Sequence, residues 1–220
     1  MAGAGLASCS QPIPSYTVMG NIPDSTFNGK TVYIFDRDKG QNIDSAVIEN
    51  GAFTFTGQID TAVLCLTQVG RKYYTTFMLE NGTIQLNMET PNSASGTPLN
   101  ETFSSYIQEE KRISELFQNK MKEIQEQEQD KSKVQELTKT YYDNEYKPAY
   151  MAMLKDFIDK NQDNYIGAFA LQNLSNFMNP EEMESIIAQS SAFIQSRNII
   201  RKLSQRITNL KKTAVGQPFT

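Results

Sequence analysis

The two cysteines, Cys9 and Cys65, are the residues whose chemistry would be easiest to use. Thiol–disulfide exchange needs an attacking thiolate and a second thiol nearby to resolve the mixed disulfide. These cysteines are far apart and form no CxxC pair, so the chain lacks the dithiol that this exchange requires. It also lacks histidine, the commonest general base near neutral pH and the commonest metal ligand, which argues against triad and zinc chemistry.

Carboxylates are plentiful, above all at Glu109, Glu110 and through residues 123–130. Catalytic carboxylate pairs need burial or charged neighbours that separate their pKa values. The surrounding pattern is that of a polar, exposed helix, so we interpret these acids as a solvated charge run. No glycine-rich phosphate loop is present. We therefore predict no catalytic residue, no metal ligand and no cofactor site.

The overall charge excludes one class of partner. The chain carries a net charge of −4, and its isoelectric point is near 5.0. A nucleic-acid binder would present a basic stripe that neutralises phosphates. We therefore predict no nucleic-acid partner.

The start of the chain, residues 1–14, carries the segment Leu6-Ala7-Ser8-Cys9, which resembles the bacterial lipobox. In that signal the cysteine is acylated, so Cys9 is predicted to be a lipid anchor, followed by a polar tether. The alternative is a disordered leader with an incidental cysteine. The lack of a positively charged start and of an apolar core of roughly 7 to 15 residues argues for this alternative. We nevertheless favour the lipobox interpretation.

Two triplets, Asp44-Ser45-Ala46 and Asp60-Thr61-Ala62, resemble the O-glycosylation sequon that Bacteroidetes use on envelope proteins. They make Ser45 and Thr61 candidate glycosylation sites. The alternative, which we favour, is that Asp44 and Asp60 serve turns by bonding nearby backbone amides.

The elements that would position these residues form two modules, which a chain of 220 residues can accommodate. In the first, residues 15–92, short β-prone runs are separated by turn residues, as in a sandwich or barrel. Strands are predicted at 16–22, 31–36, 44–49, 52–56, 62–68, 73–79 and 83–88. Asn50-Gly51 and Asn81-Gly82 each predict a tight hairpin. Five side chains should face inward: Phe53, Phe55, Ile84, Leu86 and Met88.

The second module, residues 97–212, follows a run of helix-breaking residues at 91–98. Its apolar spacing of about 3.6 residues predicts two long helices in an antiparallel hairpin, with a solvent-exposed tip and a kink or interruption at Pro148. The run Asn161-Gln162-Asp163-Asn164 and, further on, Asn179 should cap the helices that follow. The last helix, 196–212, carries basic residues opposite its apolar face. These cations could dock on anionic lipid or an acidic partner, although a solvated face is the favoured interpretation.

The closing segment, residues 213–220, contains Gly216-Gln217-Pro218-Phe219 and is predicted to enter a strand. Four features in this order resemble one family: Tyr16-Thr17-Val18-Met19-Gly20, Asp44-Ser45 with residues 50–57, the helical stretch 161–167, and this closing segment. The combination is similar to the N-terminal region of Bacteroidetes envelope lipoproteins of the TlpA-like, or AhpC/TSA, thioredoxin family. In that family an uncharacterised β domain and a helical linker precede the thioredoxin-like domain.

The resemblance implies an α+β chain, with an antiparallel β-sandwich or barrel-like module followed by a separate α-helical module. It implies a non-catalytic N-terminal region that positions or restricts a thiol–disulfide oxidoreductase domain beginning at residues 213–220. The expected partners are that downstream thioredoxin-like domain in the same polypeptide and the membrane, through a lipid anchor in the cell envelope. The competing interpretation is a stand-alone surface lipoprotein that binds a glycan or a protein.

Overall fold

The structure, a computed structural model, describes residues 14–213, with side chains as far as residue 212. The predicted lipid anchor at Cys9 and the predicted strand entry at 214–220 lie outside the described residues. The strands of the first module are β1 Tyr16–Asn21, β2 Thr31–Asp36, β3 Gln41–Val47, β4 Ala52–Gly57, β5 Val63–Val69, β6 Tyr73–Leu79, β7 Gly82–Asn87 and β8 Ala94–Ser95. The predicted strands are therefore confirmed, with shifts of a few residues at their ends.

The strands form two facing sheets, in the orders β4-β1-β7-β8 and β3-β2-β5-β6. Buried side chains of both sheets, such as Val18 and Phe55 from one and Ile34 and Phe77 from the other, share a single core. The predicted sandwich is confirmed. Its strand pairs are antiparallel except for β1 and β7, which run parallel.

The side-chain alternation in β4 and β7 follows the two-residue period of a strand with one buried face. All five side chains predicted to face inward are buried: Phe53, Phe55, Ile84, Leu86 and Met88. Thr54, between the phenylalanines, and Thr56, after them, are exposed. The apolar pattern therefore identified the inner face correctly.

The Asn50-Gly51 turn forms as predicted, but the strands on either side separate. Asn50 and Gly51 have φ values of 51° and 76°, as a type I′ turn requires. Glu49 and Ala52 exchange both backbone hydrogen bonds, at 2.8 and 2.9 Å. Beyond this pair, β3 pairs with β2 in one sheet and β4 pairs with β1 in the other. The Ile22 amide, just after β1, donates to the Gly51 carbonyl at 2.6 Å. The turn is thus a corner between the sheets.

The second predicted hairpin, at Asn81-Gly82, is wrong. β6 and β7 belong to different sheets, and the Gly82 amide donates to the Ser15 carbonyl at the start of β1. The Asn81 side chain holds the neighbouring loop, accepting from the Ile59 amide at 3.2 Å and donating to the Ile59 carbonyl at 2.8 Å. An Asn-Gly pair permits a sharp reversal, but it does not determine which sheet the next strand joins.

The helical module follows directly. Its helices are α1 Pro98–Gln127, α2 Lys131–Tyr141, α3 Lys147–Lys160, α4 Tyr165–Leu174, α5 Pro180–Gln189, α6 Ala192–Gln195 and α7 Asn198–Thr213. The Asn164 side chain accepts from the Ile166 amide, and Asn179 forms a reciprocal capping box with Glu182, so both predicted caps are confirmed.

The long hairpin consists of α1 packed against α2 and α3. A π-helical turn, Tyr142–Tyr146, joins α2 to α3 and ends two residues before Pro148, which confirms the predicted interruption. Ring contacts from Phe117 to Tyr146 and from Tyr106 to Phe157 show that the arms run antiparallel. Most side chains from 125 to 133 are exposed, as predicted for the tip.

One end of the sandwich, which we call the junction end, meets the helices. Here β1 and β7 begin, β4 and β6 end, and the loops 37–40, 58–62 and 80–81 gather. Leu64 and Met78, from the sheet containing β2, are buried in the hydrophobic core of the helical module. The helical module is therefore packed directly on the sheet.

We predict that Gly51→Ala destabilises the protein more than Gly40→Ala. Both glycines have φ above 70°, where a β-carbon costs roughly 1–2 kcal/mol. A β-carbon at Gly51 would also lie 2.7 Å from the Ile22 carbonyl oxygen, whereas none of the described atoms lies within 4 Å of one at Gly40. Urea unfolding of both variants measures the difference. Equal losses of unfolding free energy would contradict the corner geometry.

Candidate functional site

Cys65 lies on the inner face of β5 and is fully buried. Burial raises the pKa of its thiol well above the usual range, and the nearby Asp36 carboxylate raises it further. The neutral thiol is therefore the stable form. This arrangement suits a small buried hydrophobic residue and opposes a redox nucleophile.

The two candidate glycosylation residues are both exposed. Ser45 lies within β3, and Thr61 lies in the loop between β4 and β5. The interpretation that Asp44 serves a turn is wrong, because Asp44 is inside β3. Its carboxylate accepts from the Ser45 amide at 2.7 Å and from the Tyr16 hydroxyl at 2.8 Å. A strand residue can use the same local bond that a turn residue would use.

The acids of α1 are mostly solvated, with one exception. Glu109 pairs with Arg112, whose hydrogen bonds hold the pKa of the Glu109 carboxyl below its usual value. Glu110 instead accepts a hydrogen bond from the Tyr150 hydroxyl and is only partly exposed. The interpretation of Glu110 as part of a fully solvated run is therefore wrong.

A buried polar contact lies beside this pair. The Tyr106 side chain is fully buried between α1, α3 and α4, and its hydroxyl accepts from the Asn173 side-chain amide at 2.8 Å. Burial raises the pKa of Tyr106 to about 12. The contact satisfies a buried hydroxyl, which would otherwise destabilise the core.

Residues 14–213 hold no group of three or more cysteine, aspartate or glutamate side chains arranged to bind a metal ion. None of the helices in this range is both long and apolar enough to cross a membrane.

The most distinctive polar site lies at the junction end, where a turn of the sandwich holds the last helix. Asp38, in the loop between β2 and β3, is only 8% exposed. Its Oδ1 atom accepts from the Ile199 amide at 3.1 Å and from the Tyr165 hydroxyl at 3.3 Å. Its backbone carbonyl accepts from the Asn198 side chain at 3.3 Å. One residue of the sandwich thus binds both α4 and α7.

The position of Asp38 is fixed by Asp36, the last residue of β2. The Asp36 Oδ1 atom accepts from the backbone amides of Asp38 and Lys39, at 2.8 and 2.9 Å. Its backbone carbonyl accepts from the Gly40 amide at 2.8 Å. This is the aspartate-stabilised turn that a carboxylate two residues upstream can form.

The first turn of α7 receives its cap from this turn. Helix N-termini leave amide groups without intrahelical partners, and a nearby acid satisfies them and interacts favourably with the helix dipole. The Ile199 amide is such a group, and Asp38 accepts its hydrogen bond although the two residues are 161 positions apart. The start of α7 is therefore tied to the sandwich.

A second polar contact secures the start of α1. Asn100 is 1% exposed, and its side chain accepts from the Met78 amide at 3.0 Å and donates to the Met78 carbonyl at 2.8 Å. It pairs with the outer edge of β6 much as another strand would. The first and last helices are thus both attached to the same sheet.

Sequence patterns alone did not identify Asp36, Asp38 or Asn100 as contact residues. The run Asp36-Arg37-Asp38-Lys39-Gly40 after a β-prone stretch is typical of a turn, and that signal was present. Nothing in the local pattern identifies partners more than 100 residues away. The arrangement can transmit orientation: moving the β2–β3 turn must move the start of α7.

Comparison with known proteins gives a match for the sandwich. Residues 16–103 match a family described as Domain of unknown function (DUF4369). This range contains β1 to β8 and the first residues of α1. No curated protein matches the chain, and no solved structure matches it. The match agrees with the expected uncharacterised β domain and names no activity.

We predict that Tyr106→Phe weakens the loss of stability at alkaline pH. The folded state favours the neutral phenol, because burial raises the pKa of Tyr106 to about 12 from about 10 in the unfolded chain. Its contribution to the unfolding free energy is therefore complete below about pH 10 and is lost as the pH rises towards about 12. Urea unfolding at neutral pH and in this alkaline window measures the change. Tyr33→Phe, at a 46% exposed tyrosine, is the control. An unchanged pH dependence in Tyr106→Phe would contradict the assignment.

We predict that Asp38→Ala lowers the unfolding free energy by about 1–3 kcal/mol, because it removes a buried acceptor from Ile199 and Tyr165. Asp38→Asn keeps an acceptor oxygen and should lose less. Asp60→Ala removes an equal charge from an exposed loop at the same end of the sandwich. Urea unfolding and amide exchange at Ile199 report the effect. The cap would be refuted if Asp60→Ala and Asp38→Ala lowered the unfolding free energy equally and changed amide exchange at Ile199 equally.

Proposed function

We propose that this chain is the non-catalytic N-terminal region of an envelope-anchored, thioredoxin-like thiol–disulfide oxidoreductase, and that it positions the redox domain. The observation that carries the proposal is the Asp38 cap on α7. The start of α7 is held by the sandwich, and its other end, Thr213, leads into residues 214–220. A domain joined there would take its orientation from the sandwich through one helix.

The proposed identity of that domain comes from the family resemblance. The segments 16–20, 50–57 and 161–167, followed by Gly216-Gln217-Pro218-Phe219, occur in the order expected of a Bacteroidetes TlpA-like lipoprotein. The match of residues 16–103 to a domain of unknown function is compatible with this arrangement. Fold alone does not establish chemistry, so the redox activity is an inference by analogy.

The assignment of a non-catalytic role to this region has a physical basis. The chain has two cysteines in total, Cys9 and Cys65. Cys65 is buried with a raised thiol pKa, and Cys9 is the proposed acylation site. A redox step would therefore require a cysteine pair in the following domain.

The first experiment measures insulin reduction in the presence of dithiothreitol. Protein produced from the gene with its native ends should be active, and the 220-residue chain should be inactive. Cys65→Ser should change neither rate, since the thiol is buried. Activity of the 220-residue chain that disappears with Cys65→Ser would refute the non-catalytic role. An inactive native product without a CxxC pair would refute the oxidoreductase assignment.

Positioning can be tested in the same native product. Spin labels in the sandwich and in the following domain should give a narrow distance distribution. Asp38→Ala should broaden it, because α7 loses its attachment, whereas the charge-matched control Asp60→Ala should leave it narrow. Equal distributions in all three proteins would mean that the cap does not orient the domain.

The proposed anchor is Cys9. Each buried CH₂ of an acyl chain contributes roughly 0.8 kcal/mol to membrane binding, so two or more chains hold a protein stably. We predict that the native product fractionates with membranes and that Cys9→Ala releases it. Equal amounts of wild type and Cys9→Ala in the soluble fraction would refute lipid anchoring.

A second candidate function, binding of a glycan or protein by the sandwich, is favoured by one surface feature. Tyr33 and Tyr74 are 46% and 39% exposed, and the strand pairing places both on the outer face of one sheet beside Gln68. Exposed aromatic rings suit stacking against sugars or apolar side chains. Retention of wild type, but not of a Tyr33→Ala/Tyr74→Ala variant, on insoluble glycans would support this candidate. Equal retention would exclude these rings as the glycan-binding site.

A further inference from the structure

The solvent-facing side of α7 is a cationic surface. Arg201, Lys202, Arg206 and Lys212 are exposed, and they lie on the side of the helix opposite the buried residues Ile200, Leu203 and Ile207. We call these four cations the basic face. After Glu184 the sequence contains no further acid.

The basic face differs from the charged surface of the helical hairpin. Six of the ten cations of the hairpin pair with acids three or four positions away: Lys111, Arg112, Lys120, Lys122, Lys139 and Lys160. The other four are divided between α2, with Lys131 and Lys133, and α3, with Lys147 and Lys155. In α7, Lys211 pairs with Glu184 of α5. The four cations of the basic face have no ion-pair partner within 4.0 Å among residues 14–212. Their charge is therefore available to an external anion.

We propose that the basic face binds the anionic phospholipid headgroups of a bilayer. Its cations recur along one side of a single helix, at 201, 202, 206 and 212, and present a stripe about 17 Å long. A stripe of flexible, exposed cations matches a laterally mobile layer of phosphates, to which each nearby Lys or Arg is attracted. The chain as a whole has a net charge of −4, so overall charge does not explain such binding.

The position of α7 in the fold suits this partner. Ser15, near the first described residue, binds Gly82 at the junction end, where Asp38 also holds the start of α7. Five residues separate Cys9 from Ser15, so a tether from an acylated Cys9 spans at most about 20 Å. The basic face would supply the second signal that a stable lipid anchor needs. The orientation of the protein on the bilayer thus depends on the proposed anchoring at Cys9. Binding of headgroups by the basic face itself requires no acyl chain.

The experiment uses the unacylated 220-residue chain and sedimentation with two kinds of vesicle. One kind is phosphatidylcholine alone, and the other is equal parts phosphatidylcholine and phosphatidylglycerol. The chain should sediment with the anionic vesicles only, and high salt should release it, because salt screens exposed charges. Arg201→Gln/Arg206→Gln should lower the partition coefficient by roughly 30-fold, at about fivefold for each cation.

The matched control is Lys131→Gln/Lys133→Gln, which removes two exposed cations from α2 at the tip of the hairpin. It should lower the partition coefficient much less than the α7 variant does. Glutamine retains good helix propensity, and circular dichroism verifies that both variants fold.

Two outcomes would overturn the proposal. One is a chain that stays in the supernatant with anionic vesicles, and the other is an equal loss of binding in the two variants. Binding of polyglutamate by wild type but not by Arg201→Gln/Arg206→Gln, without vesicle binding, would assign the face to an acidic protein instead. Because the vesicle assay needs neither acylation nor redox activity, its failure leaves the proposed function intact, and failure of that function leaves the assay unaffected.

Discussion

The hydrogen bond from the Ile199 amide to the Asp38 carboxylate connects the two halves of this protein. Most helices satisfy their first amides with a side chain a few residues upstream. Here the acceptor comes from the β2–β3 turn of the sandwich, and the same oxygen also binds the Tyr165 hydroxyl at the start of α4. The first turn of α7 is capped only when this turn is in place, whereas α4 has its own cap from Asn164 and is tied to the turn through Tyr165. The orientation of α7 is therefore a property of the assembled fold.

The contact between the modules also protects one side of the sandwich. β6 is the outer strand of its sheet, and an outer strand presents unpaired backbone groups that favour association with other chains. Asn100 satisfies the amide and carbonyl of Met78 on this strand, while the Met78 side chain enters the helical core. On the other side, the outer strands β3 and β4 are joined by the Asn50-Gly51 corner. Helix docking and strand protection are thus achieved by the same residues.

Polar groups inside the helical module are accommodated in pairs. The Tyr106 hydroxyl binds the Asn173 side chain, and the Tyr150 hydroxyl binds Glu110 where α1 faces α3. A buried hydroxyl costs stability unless it is hydrogen-bonded, so these pairs restrict how the helices can pack. The helical module is attached to the sandwich through both α1 and α7. The basic face of α7 lies on the solvent side of the same helix, so one element would serve both attachment and orientation.

The sequence alone determined the features that depend on near neighbours. The two-residue period identified Phe53 and Phe55 as inward-facing, Asn50-Gly51 specified a turn with two positive φ values, and Asn179 specified a helix cap. Each of these depends on side chains within a few positions, so the pattern contains the necessary information.

Tertiary structure decided which elements meet. In the folded protein β3 and β4 lie in different sheets, and β7 pairs with β1 in parallel. The hairpin expected at Asn81-Gly82 does not form. Asp38 accepts a hydrogen bond from Ile199, 161 residues away, and Glu110 accepts one from Tyr150 of another helix. These pairings depend on how the apolar faces of the sheets and helices fill a common core, which is a property of the whole chain. A local pattern of residues cannot determine them, because the same turn or acid is compatible with several partners.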